Sequence, residues 1–242
     1  MKHITYLLLA ALACTTAGAR PVIYSTYEKV KQANVVLLGT ITNVDASVAI
    51  DVNRLEVYKG QFTERTLRLP FRDEYRETVE SAGVMVSPGQ TVLLFLRRTM
   101  DDSYVLVGGG QGAISVDGPH GEGEKESVKQ LIVVESAKTE TVRADTLSAM
   151  LKGSVIQKRA ALDALLKSDL SPSNPMLNAT LISLLDERDF TLRRDAVLAL
   201  GRLGVQQALP ELNRKLKDEQ PAVRSAAAAA LRDVSKPKPR KP

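Results

Sequence analysis

Residues able to do redox or metal chemistry are scarce in this chain of 242 residues: one cysteine, two histidines and no tryptophan. The cysteine is Cys14, and the histidines are His3 and His120. A lone thiol forms no intrachain disulfide, so the fold has no disulfide framework to lean on. Cysteine/histidine zinc sites and cysteine nucleophiles lack the residues they need, and no cofactor is implied. Long apolar runs are missing too. Ile4 to Ala13 spans ten residues, half of the roughly 20 that a bilayer-spanning helix requires. The body of the chain also lacks an excess of either charge. The formal net charge is +5, yet Lys2 and the four cations of the terminal KPKPRKP (Lys236, Lys238, Arg240, Lys241) account for all of it. Nucleic-acid-binding domains carry their excess charge on the folded surface. A charged tail is a different matter and argues against a nucleic-acid partner; it fits at most a weak contact with an anionic surface.

What is present begins with a leader. Lys2 supplies a positive start, Ile4 to Ala13 an apolar core, and Ala17-Gly18-Ala19 a small-residue cleavage site, with Arg20 as the new amino terminus. This predicts a signal peptide over 1–19, cut between Ala19 and Arg20, and an exported protein, periplasmic or secreted. The residues before Cys14 do not form a lipobox, so a lipid anchor there is not expected. Cleavage after Ala19 leaves no cysteine in the mature protein.

From Arg20 to about Asp117 the apolar pattern is short and close to period two. Ser25 to Ala33 reads as a short helix. Strands follow over Asn34 to Asp45, Ala49 to Tyr58, Thr66 to Pro70, Thr91 to Arg97, Tyr104 to Val107 and Ala113 to Val116. Turn residues at Lys59-Gly60, Ser87-Pro88-Gly89 and Asp101-Asp102 separate them. Strands at this spacing predict a small antiparallel β-barrel or sandwich over 20–135. Asp117 to Ser127 reads as a polar, glycine-rich loop. Val128 to Val134 is apolar and β-branched and fits either a last strand or a short helix. The polar segments 117–127 and 136–140 are the expected links between two separately packed cores.

Over 139–235 the period changes to that of helices, and the chain repeats itself. With Arg193 set on Arg224, a shift of 31, Leu192 falls on Val223, Ala196 on Ala227, Ala199 on Ala230 and Leu200 on Leu231. A fainter copy upstream sets Lys158 on Arg193 and Leu165 on Leu200, at a shift of 35. Self-similarity at such a period marks stacked helical repeats, whose units bury their apolar stripes only against one another. The whole is an α+β multidomain chain, a small β domain followed by an α-helical solenoid, with a basic tail over 236–242.

The run Asp218-x5-Arg224-x2-Ala227-x2-Ala230-Leu231, with Asp186 to Leu203 before it, resembles the HEAT repeat in its short bacterial variety. The resemblance implies protein–protein interaction through a solenoid surface. In the first half, VVLLGTITNV, EVYKG, SPGQTVLLFL and YVLVGGGQGAISV resemble a bacterial domain with an oligonucleotide/oligosaccharide-binding-like barrel, similar in shape to tissue inhibitors of metalloproteinases. Those inhibitors act through an amino-terminal cysteine, so their mechanism does not carry over to a mature chain without one.

Each candidate site has a plain structural reading. His120 sits in a glycine loop with no fixed partner. Gly108 to Gly112 lacks the Lys-Ser/Thr of a phosphate-binding loop, is flanked by strands, and reads as a bulge or a tight crossing in a barrel strand. Asp73-Glu74 and Asp101-Asp102 lack the alternation of a calcium loop. Asp186 and Asp218 stand near helix starts, where Arg193 and Arg224, one turn on, are expected to reach back to them. On the helix beginning at Leu209, the stripe Leu209, Leu212 and Leu216 is expected to face inward. Glu211, Arg214 and Lys215, with Ile182 and Ser183 one repeat earlier, are then left as the candidate partner surface. The sequence therefore predicts an exported, non-enzymatic binding or scaffold protein whose partner is another protein. The alternatives are an inhibitor or regulator of an exported enzyme acting through the β domain, and a lyase-like enzyme of the kind some repeat proteins resemble.

Overall fold

The computed structural model describes residues 23–45, 49–70, 87–169 and 174–235. The leader with its Ala19–Arg20 junction, the pair Asp73-Glu74 and the basic tail lie outside these residues. A first helix, α1 (Thr26–Gln32), opens with a capping box in which Ser25 and Glu28 satisfy each other's backbone N–H groups. The strands come where the alternation places them: β1 (Val35–Asp45), β2 (Ala49–Lys59), β3 (Thr66–Pro70), β4 (Thr91–Arg98), β5 (Tyr104–Leu106) and β6 (Ala113–Ser115).

All pairings are antiparallel, in the order β3-β2-β1-β4-β5, with β6 also paired to β4. The central pair is covered on both faces. Val35, Leu37, Leu94 and Leu96 point into a core enclosed by the sheet, together with Ile50, Val52, Leu67 and Leu69. Val36, Leu38, Leu93 and Phe95 point the other way, into a second core shared with the helices. Burial on both faces is why β1 and β4 read as nearly unbroken apolar runs. Three register shifts between β1 and β2 bend the pair and explain the imperfect alternation of β2, in which Leu55 is exposed.

The expected barrel or sandwich is corrected here: the structure is a single open sheet. Among the described residues no ladder joins β3 to β5, although the two strands approach each other. The physical cause is the last strand. A turn at Gly109–Gly112 breaks it into β5 and β6, three residues each, and both pair with β4 rather than running along β3. The gap is filled by side chains, with Phe62 edge-on to Tyr104 at 5.5 Å between ring centroids. Gly108 supports the break as the expected tight crossing. It has φ +68°, and a Cβ there would lie 2.5 Å from the Tyr24 ring.

The helices are α2 (Gly121–Ser136), α3 (Glu140–Leu151), α4 (Val155–Lys167), α5 (Pro175–Ser183), α6 (Phe190–Leu203), α7 (Leu209–Lys215) and α8 (Pro221–Ser235). The loop expected over Asp117 to Ser127 ends at His120, and the undecided Val128 to Val134 is helical. Val128, Leu131 and Val134 recur at helical spacing and are fully buried, while Glu122 and Glu126 in the first turns are exposed. α2, α4, α6 and α8 pack in succession as one row, with α3, α5 and α7 alongside. One continuous apolar cluster runs from α1 and the outer face of the sheet through α2 to Val234 in α8. Polar ties cross the same seam. Lys59 donates to the Val30 carbonyl at 2.8 Å and pairs with Glu135 at 3.3 Å, and Lys167 in α4 reaches Glu28 in α1 at 2.7 Å.

Candidate partner-binding surface

The recurring charges of the repeats connect neighbouring units. Arg193 lies almost wholly inside, with its Nη1 donating to the carbonyls of Glu187 (2.8 Å) and Arg188 (3.0 Å) before its own helix. Its Nε and Nη2 grip Asp218 of the next unit at 3.1 and 3.0 Å. The expected reach back to Asp186 is thus corrected: the arginine turns its carboxylate-binding edge forward along the stack. Lys158, its counterpart one unit earlier, likewise pairs forward with Glu187. Burial by itself pushes the Asp218 carboxyl up, but the Arg193 guanidinium and the Gln220 N–H together hold it below the ordinary carboxylate range. A two-pronged arginine–carboxylate pair with its other donors satisfied is the geometry that makes burial of such charges tolerable.

Asp186 serves a different pair. It accepts from Lys215 at 3.0 Å and from Arg214 at 2.9 and 3.0 Å, which lower its pKa in that order of importance. The register expected for α7 is therefore wrong at one end. Lys215 is 7% exposed and Leu216 is 40% exposed, the reverse of the inward stripe. α7 stops at Lys215, so Leu216 falls in the turn. The lysine stem lies along apolar surface while its ammonium is held between Asp186 and Asp218, the latter at 3.6 Å. Of the other candidate residues, Arg214 and Ser183 are exposed, Glu211 is half-buried and bonded to Arg214 at 2.7 Å, and Ile182 packs against the core from a half-buried position. Arg214, Lys215 and Asp218 line a shallow hollow of about 370 Å³ at the end of α7.

The larger groove escaped the sequence pattern. Between α3 and α5 lies an open hollow of about 500 Å³, lined by Leu151, Met176, Ala179 and Leu184 together with Lys152 and the paired Lys158 and Glu187. Met176 is 57% exposed there. Ser183 sits in the same wall, so one of the expected surface residues does line it. Nothing in the periodicity could have found this groove, because it forms where the end of α3 meets the face of α5, with α4 lying between them in sequence.

A pair of titratable groups lies elsewhere, at the seam of α1 and α2. Lys29 is only 9% exposed, and burial lowers its pKa against the opposing pull of Glu124. Burial raises the Glu124 carboxyl, with Lys29 and then His120 working against the rise. His120 itself is exposed, just before α2. Among the described residues no group of histidine, cysteine and acidic side chains is placed to hold a metal ion. No described helix is long and apolar enough to cross a membrane.

No curated protein and no solved structure matches the chain. The family model for HEAT repeats matches residues 178–241, the stretch that holds the Arg193–Asp218 clamp and the hollow beside Arg214. HEAT repeats generally mediate protein–protein interaction. That match does not extend to the strand-rich half. The match places the likeness to HEAT repeats in the carboxy-terminal part of the helical stack, where the forward-pairing ladder and the stacked rows lie.

Proposed function

We propose that this is an exported, non-enzymatic scaffold that binds another protein along the α3–α5–α7 side of its helical stack. The observation that carries the reading is the α3–α5 groove: an exposed Met176 in a hollow whose lining mixes apolar side chains with Lys152, Lys158 and Glu187. Apolar side chains mixed with polar ones are the usual composition of a protein interface. The Arg214 hollow extends the same side by one unit. Export rests on the leader, with its Ala17-Gly18-Ala19 site. The intact mass of the exported protein tests that part, the expected species beginning at Arg20. A lipid-modified species beginning at Cys14 contradicts it.

The binding reading is tested by a photo-crosslinking residue placed at Met176 or Ser183 in the full chain. A discrete protein adduct is expected from both positions in the native compartment. Met176→Asp should abolish the adduct formed from Ser183, and Arg214→Glu should weaken it, with melting temperatures nearly unchanged because both side chains are exposed. Adducts that form only from positions on the sheet would instead hand recognition to the β half. Lys215 is unsuited to this test, because reversing a buried charge disturbs the stack itself.

A further inference from the structure

The last helix repeats a binding arrangement up to the point where a partner enters it. In α6, Arg193 spends Nη1 on two loop carbonyls and uses Nε and Nη2 for Asp218 of the following unit, Nη2 also reaching the exposed Glu219 carboxylate at 3.1 Å. In α8, Arg224 makes the same first half. Its Nη1 donates to the carbonyls of Asp218 at 2.9 Å and Glu219 at 3.0 Å, the counterparts of Glu187 and Arg188 at the repeat shift of 31. The fork is thereby fixed in the orientation that Arg193 adopts. The side chain is exposed, and its Nε and Nη2 make no hydrogen bond or ion pair to a described residue.

Two further features say what this edge fits. The first is Arg232, which stands where α6 has Gly201. There α6 and α8 come so close that a Cβ on Gly201 would lie 2.6 Å from the Ala230 Cα. An arginine at that position keeps another helix from seating on α8 as α8 seats on α6. The same residue adds a second exposed positive charge on the face that carries Arg224, with the small Ala228 between them. The second feature concerns a further copy of this chain. The row begins at α2, whose entry Gly118-Pro119-His120 offers no carboxylate at the ladder position three residues before the helix, and the adjoining Asp117 already accepts from the Thr91 N–H. Neither another repeat nor a head-to-tail copy meets the requirement.

We infer that the outer face of α8 docks an acidic loop or extended segment of another protein, one Asp or Glu carboxylate being gripped by Nε and Nη2 of Arg224 while Arg232 and Ala228 form the floor. The internal Arg193–Asp218 pair is the template for the contact, and its charge complementarity names the partner's chemistry. This surface is distinct from the α3–α5 groove and stands or falls apart from it.

The test is a titration of the isotopically labelled full chain, followed at the arginine Nε–Hε signals by nuclear magnetic resonance. The probe is a capped peptide of the sequence LKDEQP, residues 216–221, which carries the carboxylates that Arg193 holds internally. The control is the same peptide with Asp→Asn and Glu→Gln. A saturable shift of the Arg224 signal is expected, about tenfold weaker with the amide peptide and lost in Arg224→Gln, while Arg193 does not respond. Arg224→Lys, which keeps the charge but not the two-pronged fork, should recover little of the binding. Four outcomes overturn the inference: no shift at millimolar peptide, equal shifts with both peptides, full recovery by lysine, or an Arg224 signal already in the bound position before any peptide is added.

Discussion

In the sheet, β1 and β4 bury side chains on both faces, and the remaining strands fold around them. In the helical stack each helix brings one apolar stripe, and its cover comes from the neighbours on either side. The consequence is a difference in how stability is distributed. The sheet concentrates it in the residues between Val35 and Leu38 and between Val92 and Leu96. The stack spreads it along the row and loses cover at the end, where Leu231 is half-buried at the place that Leu200 occupies with no exposure. The contrast is softened at one seam, where Val36, Leu38, Leu93 and Phe95 belong to the same cluster as the helices.

Phe95 is the place to break that contrast. Its ring is fully buried in the shared cluster, and Phe95→Ala should cost about 3–5 kcal/mol. Because the cluster is continuous, chemical unfolding should show one transition, moved as a whole whether it is followed by circular dichroism or by hydrogen exchange in α6. A displaced sheet transition beside an unmoved helical one would mean two independent cores, the division that the polar segments of the sequence suggest. Along the row the expected gradient is next in size. Leu200→Ala should cost about 2–5 kcal/mol, and Leu231→Ala about 1 kcal/mol, the central value for a substitution of ordinary effect. Equal losses would show that the end of the stack is covered as well as its middle.

Gly201→Ala sharpens the same comparison from the backbone. Alanine is favoured over glycine in a helix by about 1 kcal/mol, but here the added methyl meets Ala230 Cα at 2.6 Å. Overpacking should prevail, with a net destabilisation of about 1–2 kcal/mol read from denaturant midpoints. The smallest effect is electrostatic. Asp189 accepts from Thr191 and from Arg159 at 2.8 Å, which hold its pKa at about 2 instead of 3.8. A carboxyl depressed in the folded state stabilises above its unfolded pKa and loses that contribution as protons bind. The stability difference between Asp189→Asn and the parent should therefore be constant above about pH 5. It should shrink between 3.8 and about 2, as urea midpoints at a series of pH values would record.

The sequence made the repeats visible because their period survives in side chains that must be small or apolar to pack: Ala196 with Ala227, Ala199 with Ala230. It also placed the strands to within a residue or so, since β1 and β4 are apolar wherever they are covered. The closure of the sheet was not legible, because it turns on whether one short strand stays whole through Gly109–Gly112, which alternation cannot reveal. The α2 helix was hidden by its polar first turns and by the β-branched Val128 and Val134. The direction of the arginine clamp was hidden for another reason. Recurrence at a fixed shift shows that Arg193 and Asp218 matter together with their copies, but not which loop the guanidinium faces. The same limit misplaced Lys215, whose long stem lets a charged residue occupy an inward position.

The pair Gly201 and Arg232 has a consequence for how such an array can grow. Repeat arrays lengthen when a unit of the gene is copied in tandem. A copy of the last unit would carry Arg232 into the interior, at the close approach that only glycine satisfies between α6 and α8. A copy of the unit containing α6 would bring its own glycine and its own forward-facing arginine, and would fit. A tandem copy of the unit containing α8 is therefore expected to seat poorly on α8, and a copy of the unit containing α6 to seat as α8 does on α6.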